Sequence, residues 1–451
     1  MPSSLLHRHS RRVPPPVVSG KGSWLTDAQG RRYLDACGGA AVSCIGHAHP
    51  RVIEAIARQA GAVEYAHNSF FTSEAAERLG DLLLERAPAP LSRVYFVSSG
   101  SEAMEAAIKL ARQYFVERGE SARSRIVSRR QSYHGNTLGA LAVGGNVARR
   151  ALYAPLLIDT TLVSPCFAYR HRNEGESDAQ YVERLAAELE RAIAAAGEGT
   201  VMAFVAETVV GATTGAVPPV AGYLRRMREV CDRHGVLLIL DEVMCGAGRT
   251  GRYHAFEAEG VVPDILTAAK GLGGGYQPIG AVYLSERIDE AIRDGSGAFK
   301  HGHTYNAHPV ACAAALAVQE VIRDEGLVER CAASGEKLQR MLEERFSGSA
   351  HVGDIRGRGL FRALEFVADR ADKRPFDPAE DIGVRLKAEA LRLGLCIYPG
   401  SGTVDGVAGD HVLLAPPFNI SDGDLELAVD LLGTAVDNIL PPASRRRGGA
   451  A

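Results

Sequence analysis

The sequence predicts an α/β protein built on a mostly parallel sheet, and three features point that way. Short, continuous apolar runs recur, at Val201 to Ala206, Val236 to Leu240 and Ile265 to Ala269. Such runs are too short for ordinary helices and fit strands buried on both faces. Helical patterns separate them, as from about Ala179 to Ala196 and from Gly222 to His234. Finally, each run ends in a polar residue: Glu207, Asp241 with Glu242, and Lys270. Open α/β sheets bind their ligands at the carboxyl ends of their strands.

Size and composition set the frame. A chain of 451 residues exceeds one simple core, so one large and one smaller domain are expected. Apolar residues at 46% and charged residues at 23% are ordinary for a globular protein. A formal net charge of −3 argues against nucleic acid or an anionic membrane as partner. No apolar run approaches the roughly 18–20 residues that a membrane span needs. The eight cysteines are scattered without a C-x-x-C pair or zinc spacing, which suits free buried thiols in a reducing cytoplasm. No metal is expected: His47 and His49 lack a third ligand at suitable spacing, and His301, His303 and His308 sit in a loop punctuated by glycine and proline.

Taken in order, residues 1–20 read as a disordered tail, and Gly22 to Asp35 as a hairpin turned at Asp27 to Gly30. The segment 21–70 includes the glycine-rich Cys37 to Pro50 and a helical pattern from Val52 to Ala60. The large domain is placed at 71–325. In it Arg93 to Ser98 is a strand, and Ser99 with Glu102 fits a capping box opening a helix. A helix start offers unpaired N–H groups and can hold a phosphate, although an ordinary capped helix reads the same way. Arg125 to Ser128 is a short strand leading to Tyr133-His134-Gly135, where an aromatic beside glycine suits either a plain loop or stacking on a flat ring. Gly235 ends the Gly222–His234 helix, and Ile279 to Ser285 is another strand. From about Gly326 a smaller α+β domain runs to residue 441, and residues 442–451 read as a second tail.

Asp241 and Lys270 carry the chemistry. A lysine fixed at a strand end before Gly271-Leu-Gly-Gly-Gly275 is suited to forming an imine with an aldehyde. Either residue alone is equally a surface lysine before a loop or an acid closing a strand.

The two segments together, LILDEVMCGAGRTG and PDILTAAKGLGGGYQPIGAV, resemble the signature of the class III (omega) aminotransferases, enzymes of PLP fold type I that use pyridoxal 5′-phosphate. Matching segments extend from about Gly20 to Pro416-Pro417-Phe418, nearly the whole chain. The resemblance implies a large domain with a mixed, mostly parallel sheet and a small C-terminal domain, with the N-terminal segment lining the active-site mouth. It implies that Lys270 bonds covalently to the cofactor aldehyde and that Asp241 pairs with the ring nitrogen. By the same resemblance Gly100 and Ser101 hold the phosphate, Tyr133 and Val243 press the two ring faces, and His134 and Gly135 shape the loop. Glu207 keeps the family's acid, although Thr208 replaces the proline that many relatives have there. Thr304 is implied to reach the phosphate of the partner subunit in a homodimer.

The implied reaction moves an amino group from an amine or omega-amino acid donor to a 2-oxo acid, pyruvate or 2-oxoglutarate. An aminomutase, racemase or decarboxylase of the same fold is the alternative. A noncatalytic regulator module is disfavoured by the retained lysine and aspartate. Dinucleotide binding is disfavoured because Gly271 to Gly275 lacks the G-x-G-x-x-G spacing. Several amine transaminases hold a substrate carboxylate with an arginine just before the proline matched by Pro399. Here that residue is Tyr398, which leaves open which arginine, if any, serves instead.

Overall fold

The computed structural model describes residues 4–8 and 13–440. The expected C-terminal tail at 442–451 therefore lies outside the described residues, as does part of the N-terminal one. Seven strands form the central sheet, in the order Leu91–Val97, Gly280–Ser285, Ile265–Ala268, Leu237–Asp241, Val201–Glu207, Arg125–Arg129 and Thr161–Val163. Gly280–Ser285 runs antiparallel to both its neighbours. The remaining pairs are parallel.

The apolar runs owe their lack of alternation to two separate cores. Phe204, Leu238 and Leu240 pack on one face with Leu185, Leu189, Met227 and Val230 from the helices Asp178–Ala196 and Tyr223–Arg233. Ala203, Val205 and Ile239 pack on the other with Ala103, Ala107 and Leu110 from the helix Gly100–Glu117. Every position in these strands is therefore buried, and a polar residue at any of them would face an apolar core. Ser177 caps the Asp178–Ala196 helix with a full capping box. Gly235 follows the Tyr223–Arg233 helix with φ 61°, as its sequence position predicts.

Two further sheets complete the fold. Val352–Arg358, Phe361–Phe366, Asp410–Leu414 and Tyr398–Ser401 form an antiparallel sheet. The helices Leu327–Phe346, Ile382–Leu393 and Asp422–Ile439 pack in the same core. The third sheet joins Val17–Lys21, Trp24–Asp27 and Arg32–Asp35 to Leu395–Cys396, so N-terminal strands pair with a strand of the C-terminal region.

The structure departs from the sequence reading at Val17–Lys21. Residues 17–20, read as part of a tail, are paired with the Trp24–Asp27 strand. Their side chains are almost all exposed, so no buried periodicity marks the strand in the sequence. The strand Tyr398–Ser401 was also hidden, because Pro399 and Gly400 weaken a strand pattern and are tolerated at this sheet edge. Among the described residues no helix is long and apolar enough to cross a membrane.

Gly335 shows how closely the Leu327–Phe346 helix approaches the turn between Val352–Arg358 and Phe361–Phe366. A Cβ at Gly335 would stand 2.2 Å from the carbonyl carbon of Gly359. Backbone on both sides cannot yield cheaply. Gly335→Ala should therefore lower unfolding free energy in urea by about 1–3 kcal/mol; unchanged stability would contradict the packing described.

Candidate active site

Strand register assembles the site. Glu207 stands opposite Asp241, and Asp241 opposite Thr267, so three central strands end level with one another. The Ile265–Ala268 strand then delivers Lys270 at the same edge. A cavity of about 380 Å³ opens there. Gly100, Ser101, Tyr133, His134, Gly135, Glu207, Asp241, Val243 and Lys270 all line it.

Asp241 is the most constrained of these groups. Its side chain is almost wholly buried, and Oδ2 lies 2.8 Å from Nδ1 of the fully buried His134. Oδ1 accepts the N–H of Val243 at 2.9 Å. An ionised carboxylate can only accept, so His134 donates from Nδ1. His134 thus does more than shape its loop: it fixes the rotamer of the central acid.

Lys270 is half-buried in the cavity wall and has φ 46°. A non-glycine residue in that region carries backbone strain, a feature that clusters at functional sites. Burial pulls its ammonium pKa down, while the nearby Asp241 and Glu207 carboxylates pull against that shift. A deprotonated amine is correspondingly more accessible here than on a surface lysine.

Glu207 acts as a brace. Its Oε1 accepts the N–H of Tyr133 at 3.0 Å and its Oε2 that of Gly211 at 2.8 Å. Burial raises its pKa. Arg129, itself buried, donates to the Glu207 carbonyl at 2.6 Å. The next residue, Thr208, donates its hydroxyl to Glu242 at 2.9 Å, tying the ends of adjacent strands together.

A helix N-terminus also lines the cavity. Ser99 Oγ accepts the N–H of Glu102, but Glu102 Oε2 reaches past Ser99 to the N–H of Ser98, at 2.7 Å. The capping box expected at Ser99 is therefore shifted by one residue on its return arm. Gly100 and Ser101 open the helix, and their N–H groups have no carbonyl one turn back. A Cβ on Gly100 would lie 2.7 Å from Val243 Cγ1, so only glycine lets Val243 reach over this end. Gly135 likewise leaves no room for a Cβ, which would sit 2.7 Å from Ser101 Oγ. Asn136 donates its N–H to that same oxygen at 3.0 Å.

Thr304 is the exception among the predicted residues. It is exposed, it does not line this cavity, and its carbonyl accepts Tyr65 Oη at 3.0 Å. The histidines once weighed as ligands are engaged separately, His47 with Asp35 and His49 with Glu325. Sequence reasoning missed Val42, Val209, Ala212, Met244 and Gln277, which also line the cavity. Ordinary apolar or amide residues in loops carry no chemical signature, so only the fold reveals them.

The donor set fits a flat, phosphorylated aldehyde: helix-start N–H groups for an anion, a carboxylate, an amine and an aromatic all line one cavity. Comparison with known proteins decides the family. The family described as aminotransferase class-III matches residues 6–436. The chain belongs to that family. An uncharacterized aminotransferase of Schizosaccharomyces pombe is 48% identical over 433 residues, covering 96% of this chain and 94% of that protein. An (S)-enantioselective omega-transaminase structure from Thermomicrobium roseum is 36% identical, with TM-score 0.90 over 96% of this chain and 94% of its own. The omega-transaminase of Pseudomonas jessenii in complex with PMP has TM-score 0.91 at 32% identity, covering 96% of each chain. This class III aminotransferase thus has the fold type I architecture, and transamination is its reaction.

Glu242, beside Asp241 in sequence, faces away from the chemistry. It accepts the N–H groups of Ala255 and Phe256 at 2.8 and 2.7 Å, and burial pushes its pKa up to about 7 from 4.5. A raised carboxyl pKa favours the protonated form in the fold, so the associated stability is full below pH 4.5 and lost as pH rises through 7. Wild-type stability relative to Glu242→Gln, followed by urea unfolding, should therefore fall by about 3 kcal/mol between those limits. A pH-independent difference would contradict the assignment.

Proposed function

We propose that this aminotransferase uses pyridoxal 5′-phosphate to move an amino group from an amine or omega-amino acid to a 2-oxo acid such as pyruvate or 2-oxoglutarate. The observation that carries the reading is the meeting of Lys270, Asp241 and the helix start at Gly100 around one cavity. The cofactor, when bound, supplies an aldehyde to take up the amino group and a ring that withdraws electrons.

The protein supplies the rest. Lys270 Nζ holds the cofactor covalently and later carries the proton taken from the donor carbon, a task helped by its lowered pKa. Asp241 would keep a proton on the ring nitrogen, and His134 holds that carboxylate in place. Gly100 and Ser101 present N–H groups to the phosphate. Tyr133, braced by Glu207, and Val243 line the cavity and would confine the ring. Gly135 allows the Tyr133 loop to pack against Ser101.

Thr304 is assigned to the partner's cofactor phosphate in a homodimer. Its exposure and its place outside its own chain's cavity support this. So do the neighbouring exposed aromatics Phe70, Phe71 and Tyr305, with the Tyr65 and Tyr305 rings 5.7 Å apart. Eight unpaired cysteines, seven of them buried, support a reducing, cytoplasmic setting.

Borohydride reduction of the holoprotein followed by peptide mapping should place the pyridoxyl group on Lys270. Lys270→Ala should remove that adduct and abolish transamination while leaving the fold intact. Asp241→Asn should keep the adduct but slow turnover by about a thousandfold or more. An adduct at another residue, or near-normal turnover in Asp241→Asn, would overturn the respective role.

A further inference from the structure

A 2-oxo acid brings a carboxylate to a cavity that already holds two acids, Asp241 and Glu207. Lys270 is committed to the cofactor in the function proposed above, on which this inference rests, so a second cation is required. Tyr398 is a phenol and supplies none. The arginines around the site are nearly all spoken for. Arg129 donates to the Glu207 carbonyl, and Arg249 to the carbonyls of Leu360 and Pro416. Arg356 is paired with Asp354 and Glu365. Arg150 closes the C-terminus of the helix Leu138–Val143 by donating to the carbonyls of Leu141, Ala142 and Gly144.

Its neighbour Arg149 is different. Among the described residues it makes no ion pair and no side-chain hydrogen bond, although it is half-buried. Its Cζ lies 4.7 Å from the ring centroid of Tyr133, which lines the cavity, while Arg149 itself stands behind that lining. A guanidinium stacked on an aromatic face keeps its in-plane N–H fork free, which is the edge that grips a carboxylate in two parallel hydrogen bonds. Tyr398 packs against the apolar cluster that includes Val209 and Met244, both of which line the cavity.

The backbone beneath Arg149 is fixed. Asn146 Oδ1 accepts the Arg149 N–H at 3.0 Å, capping the short helix Val147–Ala151. The loop from the C-terminal sheet packs on that helix so tightly that a Cβ at Gly406 would lie 2.7 Å from Val147 Cγ2. Arg8, by contrast, is exposed.

We propose that Arg149, held over the Tyr133 ring, is the cation that recognises the carboxylate of the 2-oxo acid acceptor. This makes it a specificity-determining residue: it favours carboxylate-bearing acceptors and leaves carboxylate-free carbonyl compounds unaided.

The test is the single-turnover reaction of aminated holoenzyme with pyruvate and with butanal, read by return of the cofactor's absorbance. Arg149→Gln should raise the half-saturating pyruvate concentration by about 10- to 100-fold and leave the butanal reaction within about twofold. Arg149→Lys should restore part of the pyruvate affinity, since a point charge replaces a fork. Equal losses with both acceptors, no loss with either, or a pyruvate defect produced by Arg8→Gln instead would overturn the assignment. A wild-type enzyme inert toward every acceptor would refute the proposed function itself, an outcome distinct from these.

Discussion

The short contact between His134 and Asp241 is the constraint on which the site depends. A carboxylate buried at the end of a central strand is costly unless its oxygens are satisfied. His134 Nδ1 and the Val243 N–H satisfy one oxygen each and leave the remaining lone pairs for the cavity. Because His134 comes from the loop after Arg125–Arg129, the contact also fixes where Tyr133 and Gly135 lie. One hydrogen bond thereby couples the acid, the aromatic wall and the packing on Ser101. The proposed function needs all three in register.

The rest of the fold serves to make that geometry rigid. Two apolar cores sandwich the central strands, so Glu207, Asp241 and Thr267 cannot slip relative to one another without exposing a core position. Close approaches at Gly100 and Gly135 bring the helix start against Val243 and the Tyr133 loop. Acids gathered at the strand ends raise the cost of ionisation, visible in Glu207 and Glu242, whose pKa values are both raised by burial. Lys270 lies among them on a strained backbone. Rigid walls, a strained amine and a held carboxylate are what pre-organisation of a reacting group requires.

Much of this was legible in the sequence, for identifiable reasons. Strands buried on both faces announce themselves as apolar runs, and Asp241 and Lys270 are visible because a charged residue ends each run. The helix at Gly100 was legible through its Ser99 cap. What stayed hidden had no such signal. Val17–Lys21 pairs through backbone alone, and the return arm of the Ser99 cap depends on a side-chain rotamer. His134 was visible as a residue but not as the partner of Asp241, since that contact joins positions over a hundred residues apart. Arg149 was invisible for a related reason: only the packed structure shows which arginines are already engaged.

The claim at the centre of the account is that a carboxylate keeps the cofactor's ring nitrogen protonated. Nitrogen NMR of the enzyme loaded with ¹⁵N-labelled pyridoxal phosphate measures this directly. The account predicts a pyridinium shift that persists without titrating from about pH 6 to about pH 9. A nitrogen that is unprotonated at neutral pH, or that titrates as it does in solution, would contradict it.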